Sequence, residues 1–587
     1  MNNTINIDYD AKSKKLVVVA PFHLNEVTRE FPSRRFDPKS KAWKVPLLKA
    51  NLKHLESVQH KYDFRITDGA KDAIRGAEAI MAAPRKVPFP RHLYDFKKAA
   101  VPFTPMGHQD RMLDHSFGLK SFAWFAKMGT GKTYTAIHLA FAQWKGGSID
   151  KLAIICPSTL RTVWQKEFAK YATGEYDFRI HDSKAKWLTD FCRKVPADRL
   201  QVLAISVEGL GVSEGLYDSV CVYYLGGRVM TICDESSRIK NPDAKRTKRA
   251  ITLGSMSEIR GVLNGTPIAL GIEDLWAQYE FLDPNIIGTG DYWAYKTRYL
   301  VMGGFENKEI IGYQHIEELM AMIEPYTLEV GKDVLDLPPK VKLVRNCVAT
   351  AEQKELFRVI LKGATRESDP LIKVENTLEK MLRLRQVVGG YLPRGKRVQK
   401  MVDGQLIEEI ETTVEPLQSN PKAELLEEII SDNFIGSKFI IWTTFIHEIE
   451  DIRDKLATKY GAESVECYYG KTAMADRSRI EDRYCNDRSM RFFVGNPVAA
   501  GLGLTLISGE NDVMVYYSGT NAYIDRAQSE DRAHRIGQKN SVTVLDLVME
   551  RTIDVSIVES IEKKMGVEEY LIAQIKAGVK LEDTMMG

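Results

Sequence analysis

The chain has 587 residues, 44% of them apolar and 27% charged. That is the balance of an ordinary globular protein, at a length that calls for two to four domains. No run approaches the roughly eighteen uncharged apolar residues of a membrane span. The polar, acidic stretch Met1–Asp10 also lacks the basic and apolar regions of a secretory signal. Seven cysteines (Cys156, Cys192, Cys221, Cys233, Cys347, Cys467 and Cys485) are scattered without a CxxC pair. They read as buried free thiols of a reducing compartment rather than disulfides or a zinc site. The net charge of +3 hides an asymmetry: residues 1–100 carry 20 Lys and Arg against 11 Asp and Glu, the remainder 62 against 68. A basic segment ahead of a mildly acidic body fits a nucleic-acid-facing arm and equally fits a solvated basic surface.

In chain order, residues 4–21 predict two strands, INIDYD and LVVVAPF, joined by the polar turn AKSKK. A helix-like stretch follows around Leu24–Phe31, then PSRRFDPKSKAWKVP, dense in Pro, Arg, Lys and aromatics. The Pro-rich, basic segment from Met81 to Pro105 reads as a linker. From 106 to about 560, short apolar runs alternate with longer amphipathic stretches: SFAWFA, KLAIICP, RLQVLAIS, VMTICDE, KFIIWTTF and SVTVLDLVM. This is the βαβ pattern of parallel sheets covered by helices. It appears as two blocks, about 107–270 and 420–560. Between them, 271–419 is mainly helical in pattern, with a strand-and-turn piece near 391–417. The expected division is a small basic domain at 1–80, a linker at 81–105 and a first αβ lobe with a helical insertion at 106–335. A helical and β connector at 336–419, a second lobe at 420–560 and a C-terminal helical tail at 561–587 follow.

The strongest chemical signal is AKMGTGKT, Ala126 to Thr133, between the strand-like SFAWFA and the helical TYTAIHLAFAQW. Gly129 and Gly131 let the backbone, Thr130 included, curl around phosphates. Lys132 supplies a charge to the β- and γ-phosphates, and Thr133 a hydroxyl to Mg²⁺. About a hundred residues later the apolar run VMTIC ends in Asp234–Glu235. Phosphoryl transfer needs a carboxylate to hold Mg²⁺, for which Asp234 is suited, and a polar group to orient the attacking water, for which Glu235 is suited. The third element, QSEDRAHRIGQ (528–538), offers Gln528, Arg532 and Arg535. If the stretch is helical, the two arginines share one face and can stabilise charge developing on a phosphoryl group. Their distance from the phosphate loop, some 400 residues, implies a site completed across two lobes.

With these motifs in place the sequence resembles the superfamily 2 helicase-type ATPases, and specifically their Snf2 group. MGHQDRML, with Gln109, resembles the adenine-reading Q motif; AKMGTGKT resembles motif I and IICPSTLRTVWQKEF motif Ia, with ISVEGL after it. CDESSRIKN resembles motif II, LNGTPIAL motif III, KFIIWTTF motif IV, AAGLGLTL motif V and QSEDRAHRIGQ motif VI. DLWAQYEFLDP, KDVLDLPPK, LRLRQVVGG and NPKAELLEEI match connectors of the same group, so the resemblance spans about 106–560. Three features depart from the pattern. Ser237 stands where motif II more often has His. Ala126–Lys127 stand where motif I often has acidic residues, and GTNAYIDR lacks the usual Trp and Pro. These departures put in doubt the coupling between ATP and DNA rather than hydrolysis. PSRRFDPKSKAWKVPL (32–47) is similar, over some fifty residues, to the HARP domain of annealing helicases.

The resemblance implies an α/β fold of two RecA-like parallel-sheet lobes with helical insertions and a small basic N-terminal α/β domain. ATP and Mg²⁺ are the implied cofactors, held in the cleft between lobes. The implied activity is translocation on duplex DNA without ordinary strand separation, along the phosphate backbone. Contacts are expected from the loops at Pro157–Arg161, Glu208–Gly209, Lys240–Asn241, Thr443–Thr444 and Gly501–Gly503, with Arg161, Lys240, Thr444 and Gly501 as candidates. In the N-terminal segment Arg34, Arg35, Lys41 and Trp43 are candidates for phosphate contact with an interleaved aromatic; the competing reading puts Trp43 in the core of a small packing domain. Three functions stay open: remodelling of branched DNA by annealing, fork reversal or branch migration; displacement of a DNA-bound protein such as a stalled RNA polymerase; and a DNA-annealing module with a degenerate ATPase. The expected partners are double-stranded or branched DNA and a replication, recombination or transcription protein, with no membrane. The expected state is a monomer of a lean phage or bacterial kind, in the bacterial or phage-infected cytoplasm on the nucleoid.

Overall fold

The two strands expected in residues 4–21 form an antiparallel hairpin, β1 (Thr4–Asp10) and β2 (Lys15–Val19), that seeds a five-stranded sheet. The structure is a computed structural model. It describes residues 4–81, 87–91, 95–101, 104–182, 188–265, 271–304, 306, 309–362, 377–402, 405–434, 436–500, 504–509, 511–520, 522–535 and 537–563. The chain divides into two compact units, Met1–Val334 and Leu335–Gly587.

In the first unit, β3 (Arg35–Asp37), β4 (Ala42–Pro46) and β5 (Asp63–Ile66) complete the small sheet in the order β3-β4-β2-β1-β5. The period-2 alternation puts Ile5, Ile7, Leu16, Val18 and Val45 in one core. The helices Lys49–Val58 and Asp68–Met81 cover that face with Leu52, Leu55, Ala70 and Ala77. The helix expected around Leu24–Phe31 is one short turn, Asn25–Arg29. Lysines of the first hairpin reach the rest of the unit: Lys14 Nζ lies 3.0 Å from Glu280 and Lys15 Nζ 2.5 Å from Asp291. Lys15 is 2% exposed, so this cation is buried and paired rather than solvated.

The rest of the first unit is built on seven parallel strands, β6 (Ser121–Ala126), β7 (Lys151–Cys156), β8 (Tyr176–Ile180), β9 (Leu200–Ser206), β10 (Val229–Asp234), β11 (Ile259–Asn264) and β14 (Thr327–Val330). Their order is β14-β6-β11-β10-β7-β9-β8. β6, β7, β9 and β10 are buried along their whole length, as continuous apolar runs covered by helices on both faces must be. A small hairpin, β12 (Leu300–Gly303) and β13 (Glu309–Tyr313), lies within the helical stretch.

The second unit holds six parallel strands, β15 (Lys340–Cys347), β18 (Lys438–Trp442), β19 (Val465–Tyr468), β20 (Phe492–Gly495), β21 (Asp512–Tyr516) and β22 (Val542–Met549), ordered β15-β22-β21-β18-β20-β19. The strand-and-turn piece expected near 391–417 is the antiparallel hairpin β16 (Tyr391–Val402) and β17 (Gln405–Pro416). The fold class is thus α/β with two parallel-sheet lobes and a small α/β domain at the N-terminus. The tail expected at 561–587 lies outside the described residues from 564 onward. Among the described residues no helix is long and apolar enough to cross a membrane.

The small sheet approaches the seven-stranded part closely at Gly288, whose φ of +72° caps the turn Pro284–Ile287. A Cβ there would stand 2.5 Å from the Leu47 carbonyl oxygen. Gly288→Ala is therefore expected to lower unfolding stability by about 2 kcal/mol, combining left-handed strain with a backbone clash. Urea denaturation checks this; a change below about 0.5 kcal/mol, the size of an ordinary surface substitution, would show that the contact is not tight.

Candidate active site

β6 ends in the expected phosphate loop. Gly129 and Gly131 have φ of 85° and 84°, the left-handed region that glycine enters without penalty. Gly131 is the N-cap of the helix Lys132–Lys145, so the loop delivers chain directly to the positive end of a helix. Lys132 arches back over the loop and donates to the Ala126 carbonyl at 2.6 Å. Thr130 is fully buried; its hydroxyl and N–H both donate to the Lys127 carbonyl, at 2.7 and 3.3 Å. Thr133 is half-buried in the first turn of the helix. From the helix Gly107–Ser116, Gln109 Nε2 donates to the Thr130 carbonyl at 3.2 Å, and His108 Nε2 lies 2.8 Å from the same oxygen. Gln109 Oε1 also accepts from the Met106 N–H at 3.0 Å.

Asp234 and Glu235 lie at the end of β10, one strand over from β6 across β11. Asp234 is 7% exposed; it accepts from Trp164 Nε1 at 2.9 Å and from the Glu235 N–H at 3.0 Å. Burial, followed by the neighbouring Glu235 charge, pushes the Asp234 carboxyl up to about 6. Lys132 and the Trp164 hydrogen bond work against the rise. Glu235 has φ of 53°, an uncommon left-handed position for a non-glycine residue and the sort of strain held at working sites. The next residue, Ser236, is fully buried and donates to Gln278 Oε1 at 2.6 Å, tying the turn to the helix Leu275–Leu282.

A buried carboxylate at the end of a parallel strand suits Mg²⁺, which takes one or two protein oxygens and fills its other positions with water and phosphate. Among the described residues no group of three or more His, Cys, Asp and Glu could hold a metal by itself.

Other called residues are found braced within their own units. Arg161 donates to the Ser158 and His181 carbonyls at 3.2 and 3.3 Å, and Lys240 lies 3.3 Å from Asp274. Thr444 Oγ1 accepts from Arg385 at 3.1 Å and donates to the Gly519 carbonyl at 3.0 Å. Gly501, with the loop 501–503, lies outside the described residues. In the N-terminal sheet Lys41 is exposed, in the turn between β3 and β4. Trp43 is half-buried against the sheet's own core, with Phe36 edge-on to it at 5.1 Å and the Arg34 guanidinium over its ring at 5.4 Å. Arg35, on the opposite side of the pleat, stands over the ring of Trp293 at 5.2 Å.

In the second unit the helix Tyr523–Glu530 carries the half-buried Gln528 and stops before the arginines. Arg532 and Arg535 therefore sit in the turn beyond it rather than on one helical face. Both nevertheless donate to the Leu504 carbonyl, at 3.1 and 3.3 Å. The last residue of the helix, Glu530, is held by Arg526 at 2.7 Å and by a short contact from Lys340. Burial would raise the Glu530 carboxyl, but these two cations outweigh it and hold it at about 2.

Sequence reading missed His108, Trp164, Gln278 and Arg526. Leu160, Trp164 and Phe168, four apart, form a buried helical stripe that looks like plain core. Glu208, in one of the loops expected to contact DNA, accepts from Ser158 of another such loop and from Ser206, at 2.9 and 3.0 Å.

Residues 124–389 match the family model of the SNF2-related domain. The chain is 27% identical over 483 residues to the CHD3-type chromatin-remodeling factor PICKLE of Arabidopsis thaliana, covering 77% of this chain and 32% of that protein. It is 26% identical over 475 residues to the transcription regulatory protein SNF2 of Saccharomyces cerevisiae, covering 76% and 26%. The chain thus spans a third or less of the length of these relatives. A Sulfolobus solfataricus SWI2/SNF2 ATPase core solved in complex with double-stranded DNA is 21% identical, covering 83% of this chain and 96% of that one, with a TM-score of 0.36. The class is that of an ATP-hydrolysing, helicase-like enzyme. Within that class, residues 124–389 are similar to the SNF2-related domain.

Because a proton and a metal ion compete for the same carboxylate, the raised Asp234 pKa sets a pH dependence. Above about 6 the group is charged, so if Asp234 is the Mg²⁺ ligand expected from the sequence it is available to the ion there, and below it the proton wins. The Mg²⁺ concentration for half-maximal hydrolysis should rise about tenfold per pH unit below that point. Trp164→Phe removes a donor to the carboxylate, so its rise should begin at higher pH. Mg²⁺ titrations of ATPase rate between about pH 5 and 8 check this; an unchanged requirement in both proteins would contradict it.

Proposed function

We propose that this chain is an ATP-driven translocase on double-stranded DNA that remodels branched DNA by annealing strands, reversing forks or migrating branches. The observation that carries the reading is the geometry of one parallel sheet in a chain with an SNF2-related domain. There a phosphate loop presents Lys132 within electrostatic reach of the buried Asp234. In this reading the N–H groups of Gly129, Thr130 and Gly131 and the helix N-terminus face phosphate oxygens, and Gln109 contacts the adenine. Lys132 neutralises charge on the transferring phosphoryl. Thr133 and Asp234 hold Mg²⁺, which when bound supplies charge neutralisation at the β- and γ-phosphates. Glu235 orients the attacking water. Gln528, Arg532 and Arg535 serve the transition state, the arginines exchanging their hold on the Leu504 carbonyl for phosphoryl oxygens.

For DNA, the proposed contacts are Arg161, Lys240, Thr444 and Gly501 along the backbone, with Arg34, Arg35 and Lys41 in the N-terminal domain. Trp43 is proposed as a stacking residue only where the small sheet opens at its β3 edge. The exposed Lys41 is the better placed phosphate contact. A second reading, translocation that displaces DNA-bound protein through a transcription or replication partner, gains support from relatives named as chromatin-remodelling factors.

Lys132→Ala should abolish hydrolysis, by several orders of magnitude, with DNA binding retained. Arg532→Ala and Arg535→Ala should keep nucleotide binding and lose kcat by about 10³-fold. Steady-state ATPase with duplex present, alongside nucleotide and DNA titrations, distinguishes the two patterns; near wild-type turnover in any of the three would remove that residue from the mechanism. The translocase itself should displace a third strand from a triplex while leaving a blunt duplex paired. Efficient unwinding of a long plain duplex would mark a conventional helicase instead.

A further inference from the structure

The basic stretch between the N-terminal domain and the first αβ lobe packs where it is described. Phe89 is 3% exposed; its ring lies 5.5 Å from Phe117 and 5.9 Å from Phe96. Phe96 in turn stands edge-on to His138, on the helix that follows the phosphate loop, at 5.0 Å. Val101 N–H donates to the Lys170 carbonyl at 3.0 Å. The segment is a strap laid over the helices on either side of the phosphate loop.

Its tightest hold is on the Gly107–Ser116 helix. Arg91 grips Asp114 with both terminal nitrogens, Nη1 to Oδ1 at 2.7 Å and Nη2 to Oδ2 at 2.9 Å. Its Nε donates to Asp110 Oδ1 at 3.3 Å, and the Phe89 N–H adds a further donor to Asp114 at 3.0 Å. Asp110 and Asp114 are one helical turn apart, where like charges repel unless a cation lies between them. The Arg91 hydrogen bond, the largest influence on Asp114, holds its carboxyl below the ordinary range. A lone exposed ion pair contributes little, but a two-pronged guanidinium clamp backed by a main-chain donor fixes orientation. The other side of the same helix carries His108 and Gln109, both on the Thr130 carbonyl of the phosphate loop.

We propose that Arg91 is a positioning residue for the nucleotide site. By clamping Asp114 and Asp110 it sets the seat of the Gly107–Ser116 helix, and through His108 and Gln109 the shape of the phosphate loop at Thr130 and Gly131. The tolerance there is small, since a Cβ on Gly131 would stand 2.2 Å from Gln109 Nε2. The proposal rests on reading the phosphate loop as the ATP site.

The test is steady-state ATPase kinetics on the full chain for Arg91→Ala, Arg91→Lys, Asp114→Ala, the Arg91→Ala/Asp114→Ala pair and Gln109→Ala, each with its melting curve. Arg91→Ala should raise KM for ATP about tenfold with kcat within about twofold, the split expected when ground-state positioning is lost and chemistry is not. Arg91→Lys, which restores charge without the two-pronged grip, should recover only part of the loss. The double variant should be no worse than either single, because both remove one interaction. An unchanged KM in Arg91→Ala beside a raised KM in Gln109→Ala would overturn the proposal alone. Strictly additive single effects, or a loss of kcat tracking the melting curve, would overturn it as well. If Gln109→Ala also leaves KM unchanged, the nucleotide reading of this helix falls, and the proposal with it.

Discussion

A carboxylate buried at the end of a parallel strand is held at a cost unless a cation faces it, and Asp234 is such a carboxylate. Its proton affinity is raised by burial and by the Glu235 charge, and Lys132, the Trp164 indole and the Glu235 N–H oppose the rise. The surrounding architecture serves that confrontation. The strand order puts β10 two positions from β6, with β11 between them, and points both carboxyl ends the same way, at the crevice where open α/β sheets bind ligands. Left-handed glycines turn the chain after β6 so that the next helix starts with Lys132 itself. A pairing that is costly in the bare protein is one that a magnesium nucleotide can relieve, so binding free energy is available for positioning.

The elements around this pair are fixed with little slack. Ser236 is locked to the Leu275–Leu282 helix through Gln278, and the same helix presents Glu280 to Lys14 of the N-terminal sheet. Burial raises the Glu280 carboxyl, and Lys14 opposes that. The small sheet therefore meets the rest of its unit through ion pairs that each have one buried partner, Glu280 and Lys15, whose charge would be costly to leave unpaired. In the second unit, the buried pair Arg526–Glu530, joined by the half-buried Lys340, lies in the last turn of the helix just ahead of Arg532. In each unit a buried charge network sits next to residues proposed for catalysis.

Much of this was legible in the sequence because the signals are local. The continuous apolar runs of β6, β7, β9 and β10 can only be strands buried on both faces, and AKMGTGKT needs its glycines at the positions where φ is positive. What stayed hidden is long-range. Trp164 reads as core by its spacing, and nothing in IICPSTLRTVWQKEF says that its indole N–H points at a carboxylate 70 residues away. The Pro-rich stretch before residue 105 reads as linker by composition, while Phe89 and Arg91 are anchored by partners on another helix. β15 was missed because it is an exposed edge strand with lysines between its apolar residues. The N-terminal segment, basic and aromatic-rich, invites a nucleic-acid reading from composition, and its local packing, with Trp43 against its own sheet and Arg35 over Trp293, was not legible there.

The account's central claim is that ATP turnover in this chain is coupled to duplex DNA. The most direct measurement is the ATPase rate of the full chain with no DNA, single-stranded DNA, plain duplex, forked duplex and four-way junction, at fixed salt and saturating Mg²⁺. The account predicts a low rate alone, a large stimulation by duplex and at least as large a stimulation by forked and four-way DNA. A rate that no DNA changes, or one that single strands stimulate and duplex does not, would contradict it.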